Sequence, residues 1–217
     1  MESILHALYD LTAHPEYVDP LRDEILSVLD SLGGFTKHSL LMMRKLDSCL
    51  RESQRLNLIA SLPMARLATK DYTFTSGRKP FTVHKGTTVA APAAAIHRAP
   101  YAYGPDADEW KGFRFSEICG DKDEATRNQL ASTSKEFLSF GHGKDACPGR
   151  FYAANELKLI MCYLLLRYDI RLPEECQGKR PPNIYRFGGV RPDTTVDLEF
   201  KRREQWSELE NRWNEAV

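Results

Sequence analysis

Apolar residues recur at helical spacing over the first quarter of the chain. Ile4, Leu5, Leu8 and Leu11 form one stripe and predict a short helix that ends near His14-Pro15. Asp19-Pro20 then reads as a helix cap and first helical position, and Leu21, Ile25, Leu29 and Leu32 carry a second helix to the stop at Gly33-Gly34. A third is expected over residues 36–56, with Leu46, Cys49, Leu50 and Ser53 on its inner side. The period then changes to two. Tyr72, Phe74, Phe81 and Val83 alternate with Thr73, Thr75 and Thr82, and Lys85-Gly86 reads as a turn before Thr87-Thr88-Val89, which predicts a small antiparallel sheet. Residues 121–134 are polar and read as a solvated, mobile loop. Behind Pro148, a residue suited to a first helical position, Ala153, Leu157, Ile160, Met161, Leu164 and Leu165 predict a long helix. Residues 168–172 alternate as a strand, 173–182 read as a polar turn region, and Val196, Leu198 and Phe200 predict a final strand. In the tail, Trp206, Leu209 and Trp213 lie at helical spacing, a stripe suited to docking on the body. The expected fold is mixed α and β, mainly α-helical, with a small antiparallel sheet, in one unit over residues 1–217.

Composition narrows the functional classes. With 217 residues, 42% of them hydrophobic, the chain can bury a sizeable core. Its 30 basic and 30 acidic residues balance, so nothing points to a nucleic-acid or anionic-membrane partner. Five cysteines without a Cys-x-x-Cys pair give neither a zinc pattern nor a disulfide framework and suggest a reducing compartment. No apolar run approaches the roughly 18 residues of a membrane span. Residues 1–11 carry Glu2, His6 and Asp10 and do not read as a signal peptide.

The chemistry concentrates in Phe140-Gly141-His142-Gly143-Lys144-Asp145-Ala146-Cys147-Pro148-Gly149-Arg150. This loop delivers Cys147 to the mouth of the long helix, where unpaired N–H groups and the helix dipole favour a thiolate. Gly143 and Gly149 let backbone approach something bulky and flat. A thiolate in such a cradle is a metal ligand or a nucleophile; the bland alternative is an inert cysteine before a helix.

The spacing of Phe140, Gly143, Cys147 and Gly149 resembles the haem-binding loop of the cytochromes P450. In that family haem iron is held by a cysteine thiolate. The resemblance implies a b-type haem with Cys147 as its axial ligand and Phe140 packed beside the sulfur. Two further stretches carry it. Leu50-Arg51-Glu52-Ser53-Gln54-Arg55-Leu56 is similar to the family's Glu-x-x-Arg helix, and Trp110-Lys111-Gly112-Phe113-Arg114-Phe115 to the segment that adds an arginine to that pair. Glu52 and Arg55 share a helix face. By resemblance, Glu52, Arg55 and Arg114 form a buried triad that holds the loop before the cysteine.

Other expectations follow from the resemblance. Arg66 lies where relatives place an arginine on a haem propionate; the alternative is a surface arginine at the start of a strand. Residues 95–100 look like the family's His-Arg-Asp-Pro stretch, with Ala99 for the Asp, and make His97 either a cofactor contact or a hydrogen-bonded core histidine. Tyr185-Arg186-Phe187-Gly188-Gly189-Val190 resembles the hairpin that closes over substrate. Pocket contacts are expected from residues 57–63, with the apolar Leu58, Ile59 and Leu62, and from 187–190. Where the family carries Arg or His two residues before the cysteine, this chain has Asp145. A carboxylate there faces a propionate unless Lys144 or His142 compensates, or unless Asp145 turns outward to pair with Lys144 or Arg150. Two like charges about 4 Å apart repel by up to about 4 kcal/mol at an effective dielectric near 20.

The implied function is a haem-thiolate monooxygenase, or the C-terminal portion of one. It would use O₂ and electrons from an NADPH-P450 reductase to hydroxylate an apolar small molecule, of the terpenoid or polyketide kind, in fungal-type secondary metabolism. Relatives are more than twice as long, and the resemblance places Met1 just after their oxygen-activating central helix. The N-terminal half and the endoplasmic-reticulum anchor of family members have no counterpart in these residues, so localisation is open. The alternatives are a truncated, non-catalytic remnant and a cysteine hydrolase with His142 as base, for which no orienting partner is identifiable.

Overall fold

The chain enters as a helical scaffold built on a helix whose sequence is mostly polar. The computed structural model describes residues 2–77, 79–118, 128–186 and 188–204. The first helix, α1 (Glu2–Ala13), is followed by α2 (Val18–Leu32), α3 (Lys37–Met42) and α4 (Arg44–Leu56). Two short helices follow, α5 (Ala93–Ile96) and α6 (Pro100–Tyr103), and then the long α7 (Arg150–Arg167) behind the cysteine loop. Leu8, Leu11, Leu21, Ile25, Leu29, Leu46, Leu50, Met161 and Leu165 make one core between α1, α2, α4 and α7. Gly33 ends α2 in the left-handed region, at φ 72°, which a residue with a side chain adopts only at a cost.

Several boundaries differ from the sequence pattern, each for a visible reason. α2 begins at Val18, so Asp19 and Pro20 sit inside its first turn. The expected third helix is two, because buried Met43 takes ψ 78° and breaks it. Thr36 and Ser39 form a reciprocal capping box at α3, while Glu24 of α2 accepts the backbone N–H groups of Lys45 and Leu46 and caps α4 from outside. The buried face of α7 is rotated from the apolar stripe. It comprises Ala154, Leu157, Lys158, Met161, Cys162, Leu165 and Leu166, and Ile160 is 38% exposed.

The strands form separate antiparallel pairs where one sheet was expected. Among the described residues these are β1 (Arg66–Leu67) with β4 (Thr88–Val89), β2 (Tyr72–Phe74) with β3 (Phe81–Val83), β5 (Tyr168–Arg171) with β8 (Glu199–Arg202), and β6 (Ile184–Arg186) with β7 (Gly189–Arg191). The expectation of a mainly helical mixed fold holds. That of a solvated loop over 121–134 does not hold where it can be checked. Residues 121–127 lie outside the described residues, but Leu130 and Ala131 are core, and the Leu130 N–H donates to Asp47. Trp206, Leu209, Trp213 and Phe187 also lie outside the described residues. Among the described residues no helix is long and apolar enough to cross a membrane.

α4 is buried on nearly every side, with Asp47, Ser48, Arg51, Glu52, Ser53 and Arg55 as inaccessible as Leu46 and Leu50. A buried charge is tolerated only with a partner and filled hydrogen bonds. Glu52 pairs with Arg55 and Asp47 with Lys158, while Arg51 lies against aromatic rings and donates to backbone carbonyls, and those partners lay out the site.

Candidate functional site

Glu52 and Arg55 are both 0% exposed. The guanidinium meets the carboxylate in a two-pronged pair, Nε to Oε2 at 2.7 Å and Nη2 to Oε1 at 2.8 Å. Arg114 adds Nε to Oε1 at 2.9 Å, and the Lys111 N–H donates to the same oxygen at 3.1 Å. The arginines' remaining donors go to backbone carbonyls: Arg55 to those of His97, Ala107 and Glu109, Arg114 to those of Tyr103, Asp106 and Glu109. The three residues named from the sequence therefore meet, and what they grip is the backbone of residues 97–109. Asp106 closes the cluster outward, its pKa held well below the usual carboxylate range by Lys111 and Arg114.

His97 carries that anchorage to the cysteine loop. It is fully buried and stacked on Phe137, ring centres 5.1 Å apart. The Leu138 N–H donates to its Nε2 at 2.7 Å, so Nδ1 is the protonated nitrogen and donates to the Arg55 carbonyl at 3.0 Å. Burial, reinforced by the charges of Arg55, Arg51 and Arg98, lowers its pKa to about 4. Both ring nitrogens are consumed by backbone. The expected cofactor contact is thus left without a nitrogen to make it, and the core-histidine alternative describes the geometry. Arg51 supports the same wall: its guanidinium lies 3.8 Å from the Phe137 ring centre, and it donates to the carbonyls of Gln129 and Ser132.

Beyond Leu138 the loop turns on itself. The Gly141 N–H reaches the Leu138 carbonyl, Gly143–Asp145 make a 3₁₀ turn, and the Cys147 N–H closes onto the Phe140 carbonyl at 2.8 Å. Pro148 and Gly149 stay in a turn and α7 starts at Arg150, so Cys147 precedes the first helical residue by two positions more than the proline rule predicts. Its side chain is exposed. A Cβ at Gly143, φ +71°, would meet nothing within 4 Å, and one at Gly149 would meet only the Cys147 sulfur at 3.9 Å. The cysteine is thus exposed, next to a glycine whose Cβ would meet nothing but its sulfur. Among the described residues no three His, Cys, Asp or Glu converge on a point. Those residues therefore offer Cys147 no ready-made three-ligand metal site. His142, the base of the hydrolase alternative, has Nδ1 against the Thr133 hydroxyl at 3.2 Å.

Arg66 and Asp145 find each other. Nη2 of Arg66 lies 3.0 Å from Oδ2 of Asp145, with the side chains 55% and 48% exposed. Neither Lys144 nor Arg150 takes the role foreseen for it; Arg150 donates to the Cys147 carbonyl at 2.9 Å.

The two segments expected to line a pocket are also adjacent. The Ser61 N–H donates to the Gly188 carbonyl at 2.7 Å, and Ala60 bridges Gly189. Ile59 and Leu62 are each 59% exposed, whereas Asn57 and Leu58 are buried. A cleft of about 190 Å³ lies beside the cysteine loop, walled in part by Leu58, Ile59, Ser139, Phe140, Ala153 and Leu157.

Sequence reasoning missed two buried charge systems. Asp10 accepts from Arg180, Ser53 and Asn57, and Arg180 also donates to His6 and Asn57. Burial raises the Asp10 pKa against the pull of Arg180, and burial followed by Arg180 lowers that of His6 to about 4. Lys158 of α7 meets Asp47 of α4 at 2.6 Å. The only signal was a charge at an inward position of each helix.

A family model described as Cytochrome P450 matches residues 2–200. The chain is 44% identical over 199 residues to Cytochrome P450 monooxygenase 151 of Postia placenta, which covers 92% of this chain and 39% of that protein. It is 41% identical over 198 residues to Cytochrome P450 monooxygenase AN1598 of Emericella nidulans, 91% of this chain and 36% of the relative. It is 39% identical over 204 residues to a protein named Ent-kaurene oxidase of Gibberella intermedia, 93% and 38%. The chain thus spans well under half the length of the curated relatives it matches.

Proposed function

Since the chain belongs to the cytochrome P450 family, a family of haem-dependent monooxygenases, we propose that residues 1–217 are the cysteine-bearing portion of a haem-thiolate monooxygenase, with Cys147 as axial ligand. The observation that carries this reading is the exposed Cys147 beside Gly149, in a loop riveted to α4 through Leu138, His97 and Arg55. A soft donor that belongs to no cluster of three or more ligand side chains among the described residues suits an iron already held by a porphyrin. Thiolate-ligated haem supplies oxygen activation when bound.

This chain's own residues do the positioning. Cys147 would supply the sulfur ligand, Gly143 and Gly149 add no side chains beside it, and the Glu52 cluster fixes the backbone behind the loop. The family generally draws electrons from a redox-partner reductase and uses O₂. For substrate we favour an apolar hydrocarbon skeleton of the terpenoid or polyketide class. Leu58 and the exposed Ile59 in the wall of the cleft support it, as does a relative named for oxidation of ent-kaurene. The test is reconstitution of the purified chain with hemin, followed by reduction and CO. A thiolate-type band, lost in Cys147→Ser, is expected; its absence from the wild-type spectrum refutes the assignment. A second reading, a P450 fold that takes up haem weakly and turns nothing over, is favoured by Asp145.

A further inference from the structure

Arg66 and Asp145 come from different parts of the fold. Arg66 sits on β1, which is paired with β4, while Asp145 ends the 3₁₀ turn two residues before Cys147. Their 3.0 Å contact ties the cysteine loop to that strand pair. It also leaves the guanidinium beside the proposed cofactor face already matched by a carboxylate.

We infer that Asp145 is an internal competitor for Arg66. An incoming porphyrin carboxylate must displace the Asp145 carboxylate from the guanidinium, so cofactor uptake in this chain is an exchange of one anion for another. The inference rests on the reading of Cys147 as a haem ligand. Its physical content is charge. Arg66 and Asp145 sum to zero, so wild type offers a dianionic porphyrin little net attraction at this edge. Asn in place of Asp leaves Arg66 as an uncompensated cation. Both side chains are about half exposed. The pair is therefore worth a factor of up to about five in an equilibrium constant. Removing the repulsion between Asp145 and the propionates as well brings the expected gain to roughly three- to tenfold. Salt dependence separates this from a structural role for Asp145. A site with a free cation loses affinity for an anion as salt rises, and a site with a neutral pair changes little.

The experiment titrates the apo chain with hemin, followed by Soret absorbance, at about 0.1 M and about 1 M salt, between which the Debye length falls from about 10 Å to about 3 Å. Asp145→Asn should bind hemin about three- to tenfold tighter than wild type at the lower salt and nearly equally at the higher. Arg66→Gln should remove most of that gain from the double variant. Hemin dimethyl ester, which lacks the carboxylates, should bind wild type and Asp145→Asn alike. Melting temperatures should agree, since a half-exposed pair contributes little to stability. Equal hemin affinity and equal salt slope in the two proteins overturn the inference, as does the same preference for the ester. If wild type and Cys147→Ser give one and the same hemin spectrum, the haem assignment itself fails and this inference falls with it.

Discussion

Replacing Glu52 with Ala tests whether the charge cluster organises the fold. Glu52 accepts four hydrogen bonds, from Arg55 Nε and Nη2, Arg114 Nε and the Lys111 N–H. The change strands the Arg55 guanidinium at 0% exposure, where water cannot replace the lost carboxylate. Breaking a buried pair from one side costs about 3–5 kcal/mol, a large share of the roughly 5–15 kcal/mol that holds a domain folded. At about 2–4 °C per kcal/mol for a chain of this size, the melting temperature should drop by roughly 6–20 °C. Calorimetry of the purified chain reads this without any cofactor. Arg114→Met should cost less alone. Added to Glu52→Ala it should cost less still, a coupling of about 0.5–3 kcal/mol, because its Nε has already lost its partner. If Glu52→Ala costs under about 1 kcal/mol, the cluster is not what fixes residues 97–109, and the argument from buried charge is wrong.

Three other outcomes are expected. His97 is held neutral, with a pKa of about 4 against 6.5 for the free side chain, so the unfolded chain gains a proton first as the pH falls. Its contribution, about 3 kcal/mol, should be complete above pH 6.5 and be lost between 6.5 and about 4. Urea unfolding across that window should show a shallower pH dependence in His97→Gln, and an unchanged one contradicts the assignment. Lys158→Met should destabilise strongly because it strands Asp47, and adding Asp47→Asn should restore part of the loss; additive losses would show that the pair is not coupled. Cys147→Ser should leave melting unchanged within about 0.5 kcal/mol, since the thiol is exposed and only the ligand is altered. A large loss would mean that the thiol packs in the core.

What the sequence revealed and concealed divides along a physical line. Helix periodicity located α1, α2 and α7 from the helical spacing of their apolar residues, although α1 buries every residue from His6 to Leu11. On α4 it put Leu46, Cys49, Leu50 and Ser53 inside, where they are, but gave no sign that Asp47 and Arg51 are buried with them. The Glu-x-x-Arg spacing showed that Glu52 and Arg55 could pair, since a turn of helix fixes their distance. It was silent on the carbonyls that take up the other donors, because backbone acceptors leave no trace in side-chain identity. Asp10 and Arg180, 170 positions apart, had no local signal. Leu130 sat in a stretch polar enough to read as solvated, yet its side chain joins the helical core and its N–H donates to Asp47. At the site, the cysteine spacing was legible. The partner of Asp145 was not, because Arg66 approaches from a strand 79 positions earlier and leaves no local signal beside the loop.

The cysteine loop is held in place by direction as much as by apolar contact, and that has a consequence for how the site is specified. The segment leading into it, residues 128–142, brings Leu130, Phe137 and Leu138 to the interior. Those side chains alone would tolerate sliding, since apolar contact is non-directional. The Leu138 N–H must point at His97 Nε2, and His97 can accept there only while its other nitrogen faces the Arg55 carbonyl. Arg55 in turn holds the carbonyl of His97 while paired to Glu52. A one-residue slip breaks every link in this chain and leaves buried donors unpaired, at about 1–3 kcal/mol each. The polar core therefore sets the register of the backbone that presents Cys147, while the apolar core sets only how tightly the helices close around it.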